Sequence, residues 1–278
     1  MTQPPTLTDR TALARHRARA CALPSHGEAL FLHRMAFDDL QERLSEVNKK
    51  FTAAAVVTPY PQIFAGFPAA QVVPDNDLIA LEPGAHDLVV HFMALHWTND
   101  PVGQLVQCRR SLQPDGLCLV VLPGGRSLQE LRTSLAEAEA AVTGGLSPRV
   151  VPMGEIRDLG GLMQRAGFAL PVADSLVQTV EYRSFPALLA DLRAAGETNA
   201  LAARLRRFTR RAVMTEAARI YADSYGTSEG RLTATAELVF LTGWAPHESQ
   251  QQPLRPGSAR SRLADALGVP EKPLSKDG

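Results

Sequence analysis

Four short apolar runs constrain this chain more than any other feature: AAAVV at 53–57, AQVV at 70–73, HDLVVHF at 86–92 and LCLVVLP at 117–123. Runs of this length, rich in valine and leucine and with little polar alternation, suit strands covered on both faces. Helix-like pieces follow the third and fourth of them, DPVGQLVQCRRSL at 100–112 and SLQELRTSLAEAEAAV at 127–142. Strand alternating with helix predicts a parallel sheet with helices laid against it.

The flanks extend this frame. Residues 1–50 form an N-terminal helical segment, with Leu30, His33, Phe37, Leu40 and Leu44 recurring every three or four positions. The segment 155–168 reads as a helix closed by Gly167. Beyond it, SLVQTVEYR at 175–183 and RLTATAELVFLTGW at 231–244 are longer and amphipathic, which suits antiparallel edge strands. The region 184–228 between them is expected to be a helical cap over the sheet. A main domain is therefore expected at 51–249. A proline-rich, polar tail follows at 250–278, with one short helix at 260–267. In QPDG, 113–116, Pro114 and Asp115-Gly116 are expected to make the tight turn that launches the fourth strand.

Composition excludes some functions. Twenty-nine basic and 29 acidic side chains cancel, so no long-range attraction to nucleic acid or to an anionic bilayer is expected, although a local basic patch is compatible with this balance. Cys21, Cys108 and Cys118 have no metal-ligand spacing and read as reduced, buried small hydrophobes of a cytoplasmic protein. No metal is expected. No apolar run is long enough to span a bilayer, which leaves peripheral membrane contact as the only membrane role. The arginine-rich RTALARHRARACAL, 10–23, has some character of an organelle-targeting peptide, but a solvated first helix is the better reading. The arginines of RLRRFTRR, 204–211, are expected along a solvated helix face.

The succession HDLVVHFMALHWTND, helix, LQPDGLCLVVLPGG resembles the fourth and fifth strands of class I S-adenosylmethionine-dependent methyltransferases. SLQELRTSLAEAE, GGLSPRV, RDLGGLMQRAGFALPVAD, GETNALAAR and LTGWAPHESQQQPLRPGSA are similar to one branch, the complex I assembly factor whose mitochondrial member is an arginine hydroxylase. Malonyl-carrier-protein O-methyltransferase is a more distant likeness. The resemblance implies an α/β, Rossmann-like methyltransferase fold: a mostly parallel sheet, an antiparallel last strand and a helical cap between the last two strands. It also implies S-adenosylmethionine as cofactor and a protein partner, a complex I subunit. The competing implications are arginine modification, a non-catalytic assembly chaperone with a degenerate cofactor site, and methyl transfer to a small molecule or carrier protein.

The same resemblance places the cofactor against Thr58, Tyr60, Asp75, Asn76, His91 and Leu95. It makes His96, Trp97, His247 and Glu248 the catalytic candidates. The chemistry of FTAAAVVTPYPQIFAGF, 51–67, pulls the other way. Relatives have an acidic residue and a glycine-rich loop here, whereas this chain has Thr58-Pro59-Tyr60-Pro61, and proline removes an N–H donor while non-glycine residues resist positive φ. Only about one compressed strand-helix-strand unit fits between Phe51 and Asp75, where a full unit needs roughly 30 residues, so the second strand, normal source of the ribose-binding acid, is expected to be shortened or missing. Asp75-Asn76-Asp77 reads equally as a polar turn, and His91 as a space-filling residue. Gly124-Gly125 reads as a tight turn or an anion-holding loop, and Asn199 as a helix cap. Trp244, His247, Glu248 and Gln250 are expected to swing together over the sheet.

Overall fold

The computed structural model of the protein describes residues 6–68 and 71–251. Three helices come first: α1 (Arg10–Cys21), α2 (His26–Ala29) and α3 (Phe31–Glu46). Next are β1 (Ala54–Val57), β2 (Gln71–Val73), β3 (His86–Phe92), α4 (Pro101–Ser111), β4 (Leu112–Pro123), α5 (Gln129–Thr143) and α6 (Ile156–Arg165). The series ends with β5 (Ala169–Tyr182), α7 (Phe185–Ala195), α8 (Arg211–Tyr225) and β6 (Leu232–Trp244).

The six strands form one sheet in the order β2-β1-β3-β4-β6-β5. β1 is parallel to β2 and β3, β3 is parallel to β4, and β6 runs antiparallel to both of its neighbours. The α/β architecture with an antiparallel last strand is therefore as expected, and β2 is indeed shortened, to three residues. Alternate side chains of the central strands enter two different cores. Val56, Val90, Leu119 and Phe240 pack beneath α3 residues Ala36 and Leu40. Ala55, Val89, Val120 and Leu241 pack against Leu105 and Cys108 of α4 and Leu159 and Met163 of α6. Period-two alternation explains how one buried strand feeds both layers.

A third core joins α5 to the cap. Leu131, Leu135 and Ala138 of α5 meet Phe185, Leu188, Val213, Ala217 and Tyr221 from α7 and α8. Helix starts follow local chemistry: Asp100 accepts from Gly103 N at 2.7 Å ahead of Pro101, and Ser184 accepts from Ala187 N at 3.3 Å ahead of Pro186.

Four expectations are corrected. Cys21, near the end of α1, is exposed, whereas Cys108 and Cys118 are buried. QPDG does not precede the fourth strand but lies within β4, where the register against β3 slips between His86 and Leu88. Asp115, with φ of 60°, takes the left-handed conformation there in place of Gly116. The arginines at 204–210 lie on irregular chain, and helix begins only at Arg211. Asn199 caps no helix: its Oδ1 accepts from Leu201 N at 3.0 Å and its Nδ2 donates to Pro148 O at 3.0 Å, which fixes a bend.

Residues Met1–Pro246 form one compact unit and His247–Gly278 a second. The expected helix at 260–267 lies outside the described residues.

A self-filled cofactor cradle beside a closed-in crevice

In a parallel sheet the chemistry gathers where the strands end, because the connecting loops diverge there and leave a hollow. β1 ends at Val57, and the next three residues bend back on themselves: Thr58 N donates to Val73 O at 3.0 Å, and Thr58 Oγ1 accepts from Tyr60 N at 3.1 Å. Both residues are 2% exposed. The bend turns the Tyr60 ring inward, edge-on to the His33 imidazole at 4.2 Å between centroids.

Tyr60 ends on a carboxylate. Its hydroxyl donates to Glu197 Oε1 at 2.5 Å, while Trp97 Nε1 and His96 Nε2 donate to Oε2 at 2.7 and 3.2 Å. Residues 95–97 form a single 3-10 turn after β3, which brings both rings to the same oxygen. Burial alone would raise the Glu197 pKa, but the hydrogen bond and charge of His96, the Arg17 charge and the Tyr60 hydroxyl outweigh it and hold the carboxyl well below the usual range. Burial and the Glu197 charge push the Tyr60 phenol well up. An ionised carboxylate under three donors is thus the centre of the site.

Asp75 follows β2, and α1 claims it. Arg17 Nη1 donates to both Asp75 oxygens at 2.9 and 3.0 Å; Arg10 Nη1 donates to Oδ2 at 3.1 Å, and Arg10 Nη2 to the Asp75 carbonyl. Asn76 is exposed and offers only its carbonyl, to Gln104 Nε2 at 2.7 Å. His91 is 1% exposed and pairs with Gln104 Oε1 at 3.2 Å, and burial lowers its pKa. Leu95 lies in the core beneath α4. Both side chains are thus buried in packed surroundings.

The glycine turn after β4 is filled from within as well. Gly124 N donates to Glu237 O at 2.9 Å and Arg126 N donates to Glu237 Oε2 at 2.9 Å. A Cβ on Gly124 would lie 2.5 Å from that same Oε2. The turn is tight and holds an anion, but the anion is the chain's own side chain.

Next to this network lies a crevice of about 320 Å³ over the carboxyl ends of β3 and β4, a size typical of small-ligand sites. Met93, Leu131, Leu135, Leu192 and Leu238 line it, with His33, Trp97 and Glu197 among its polar groups. His33 is 3% exposed, neither ring nitrogen has a hydrogen-bond partner among the described residues, and burial lowers its pKa to about 4. The imidazole is therefore neutral near pH 7.

The structure thus brings Tyr60, His96 and Trp97 together, with Thr58 behind them. His247 and Glu248 belong to the second unit. Because β6 is antiparallel, Trp244 pairs with Leu117 at the amino end of β4, and the chain leaves the sheet at the end opposite Tyr60. Within its own unit His247 is exposed, with Nδ1 2.7 Å from Ser249 Oγ. Three central residues, Glu197, His33 and Arg17, were not among the sequence candidates. GETN, 196–199, contains the first of them, two positions before Asn199.

The residues present do not fit S-adenosylmethionine. The bend that should expose main-chain amides buries Tyr60 instead, and the acid available after β2 is already neutralised by two guanidinium groups.

Residues 33–120 match the family described as a methyltransferase domain. This stretch, from α3 through most of β4, is similar to a methyltransferase domain. The chain is also similar to the mitochondrial arginine-hydroxylase NDUFAF5. The zebrafish (Danio rerio) protein is 36% identical over 71% of this chain and 61% of its own length, and the human protein is 36% identical over 69% and 55%. The malonyl-[acyl-carrier protein] O-methyltransferase of Laribacter hongkongensis is 32% identical over 70% of this chain and 63% of its own. The chain thus spans less than two thirds of these relatives. Among solved structures, the YcgJ protein of Bacillus subtilis aligns with a TM-score of 0.49 at 9% identity, covering 76% of this chain and 99% of that one. No helix among the described residues is long and apolar enough to cross a membrane.

Proposed function

We propose that the protein acts on a partner protein during assembly of respiratory complex I and receives an arginine side chain of that partner in the crevice. One observation carries this reading: a carboxylate held ionised, Glu197, on the wall of a crevice whose lining is largely aliphatic, although Arg149, Arg193, Asp191 and Glu237 also border it. An arginine matches it, since its three methylenes suit apolar walls and its guanidinium suits a carboxylate. The similarity to an arginine hydroxylase supports the choice of residue, and the neutral His33 adds a hydrogen-bonding partner with unmet capacity.

The experiment is deletion of the gene, followed by measurement of complex I activity and by mass spectrometry of the arginines of its subunits. Reduced activity together with an arginine lacking one oxygen supports enzymatic modification. Unchanged complex I activity sinks the assembly role altogether.

A second reading, a non-catalytic assembly chaperone, is favoured by the filled cradle. It predicts reduced complex I activity with every arginine mass unchanged. Methyl transfer is the reading the cradle disfavours. A ligand at 100 times its Kd stabilises by about 2.7 kcal/mol, which in a chain of this size raises Tm by about 5–10 °C. Saturating S-adenosylmethionine is expected to give no such shift, and a shift in that range would restore the methyltransferase reading.

A further inference from the structure

β5 is the outermost strand of the sheet, and α6 lies beside its first residues. The two elements border an open hollow of about 820 Å³, lined by Arg157, Asp158, Gly161 and Arg165 of α6 and by Pro171 and Ala173 of β5. Leu170 and Val172 alternate with these β5 residues, and both are exposed, at 49% and 58%. Leu170 has φ of 50°, in the stretch where the register against β6 slips between Ala169 and Val172. Leucine resists that left-handed conformation, so the bulge holds an apolar side chain out in water at a cost in strain. The outer face of α6 is equally unsettled. Arg157, Asp158 and Arg165 are exposed and make no ion pair among the described residues. A Cβ on Gly161 would meet nothing within 4 Å, so this glycine weakens the helix without serving any packing need inside the chain.

We propose that α6 docks antiparallel on α6 of a second copy of this chain, with Leu170 and Val172 at the border of the contact. Asp158 and Arg165 lie seven residues apart, hence two turns apart on one side of the helix, with Gly161 between them. A two-fold axis beside Gly161 sets Asp158 of each copy against Arg165 of the other, and the missing side chain at the crossing lets the helices approach closely. A face carrying one sign of charge would suit an oppositely charged partner. One acid and one base on either side of a glycine suit the same helix reversed, which is the self-complementarity a two-fold contact requires. The contact lies outside the crevice and does not depend on what the crevice receives.

The test is sedimentation velocity of the full chain over a wide range of concentration. Wild type is expected to pass from the mass of one chain to that of two as concentration rises. Asp158→Arg places like charges together at both ends of the contact and should weaken dimerisation at least about tenfold. Arg165→Asp should do the same, and the double exchange, which restores both pairs in reverse, should recover the dimer. Gly161→Leu fills the crossing and should leave a monomer. Open space surrounds that position and leucine favours helix over glycine, so this variant should melt no lower than wild type; circular dichroism melts verify that each variant folds. A wild type that remains a single chain at every concentration overturns the proposal and leaves the face to a partner of another sequence. A dimer that tolerates both charge reversals and Gly161→Leu, or a double exchange no better than either single change, overturns it as well.

Discussion

Glu197→Ala removes the acceptor on which Tyr60, His96 and Trp97 converge. Hydrogen bonds to a charged group contribute about 1.5–3 kcal/mol each, but they do not add when they share one acceptor. Two effects reduce the sum. Some 18% of the Glu197 side chain remains accessible, so water can reach the orphaned donors, and the desolvation cost of the carboxylate disappears with it. A net loss of about 3–4 kcal/mol follows, hence a Tm lower by about 6–16 °C. Thermal unfolding followed by circular dichroism at about pH 7 measures it. In a double-mutant cycle with Trp97→Phe, which keeps most of the packing, the coupling should be about 1–2 kcal/mol. The sign with pH is defined as well. A carboxyl held below its ordinary 4.5 contributes stability above that pH and loses it as pH falls, so the gap between wild type and variant should narrow in acid. A variant within about 1 °C of wild type, with no coupling to Trp97, would refute the claim that one ionised carboxylate organises this site.

Other perturbations probe separate parts of the structure. His33 is neutral with a pKa of about 4 against an ordinary 6.5, so the unfolded chain takes up its proton first, and stability should fall by about 3 kcal/mol as pH drops from 6.5 to 4; urea titrations of wild type and His33→Phe should differ by that slope, and equal slopes would contradict the burial argument. Gly124→Ala drives a Cβ to 2.5 Å from Glu237 Oε2 and 2.7 Å from Val239 Cγ2, and should cost about 1–3 kcal/mol, while Gly145→Ala, whose nearest neighbour is 3.9 Å away, should cost little. If both melt alike, the tight-turn reading of Gly124 fails. Arg17→Met leaves Asp75 with Arg10 alone and should destabilise by about 2 kcal/mol in denaturant titration; no loss would mean that the Arg17 pair contributes nothing net.

How much of this was legible in the chain depends on the range of the interaction. Val56, Val90 and Val120 reveal the buried strands because a two-sided strand must be apolar at every position, and Gly167, with φ of 83°, follows the end of α6 as the glycine expected to close it. The edge strands were legible from the alternation of 175–182, although β5 begins six residues earlier than that pattern. His96 and Trp97 were candidates because LHW matches the family that the chain resembles. Glu197 could not be ranked as their partner, because the acceptor lies 100 positions from Trp97 and nothing local marks it. Arg17 was likewise legible only as a surface arginine of the first helix, since its pairing with Asp75 spans 58 positions.

By itself the sequence determined the layered α/β frame and foretold that the first loop would not be a glycine cradle, because periodicity, proline and glycine act within a few residues of themselves. Only the tertiary structure decided what fills that place. Folding brought a tyrosine, two arginines and a distant glutamate to the ends of the strands. Charges and hydrogen bonds act through space, and their partners are chosen by packing rather than by spacing along the chain.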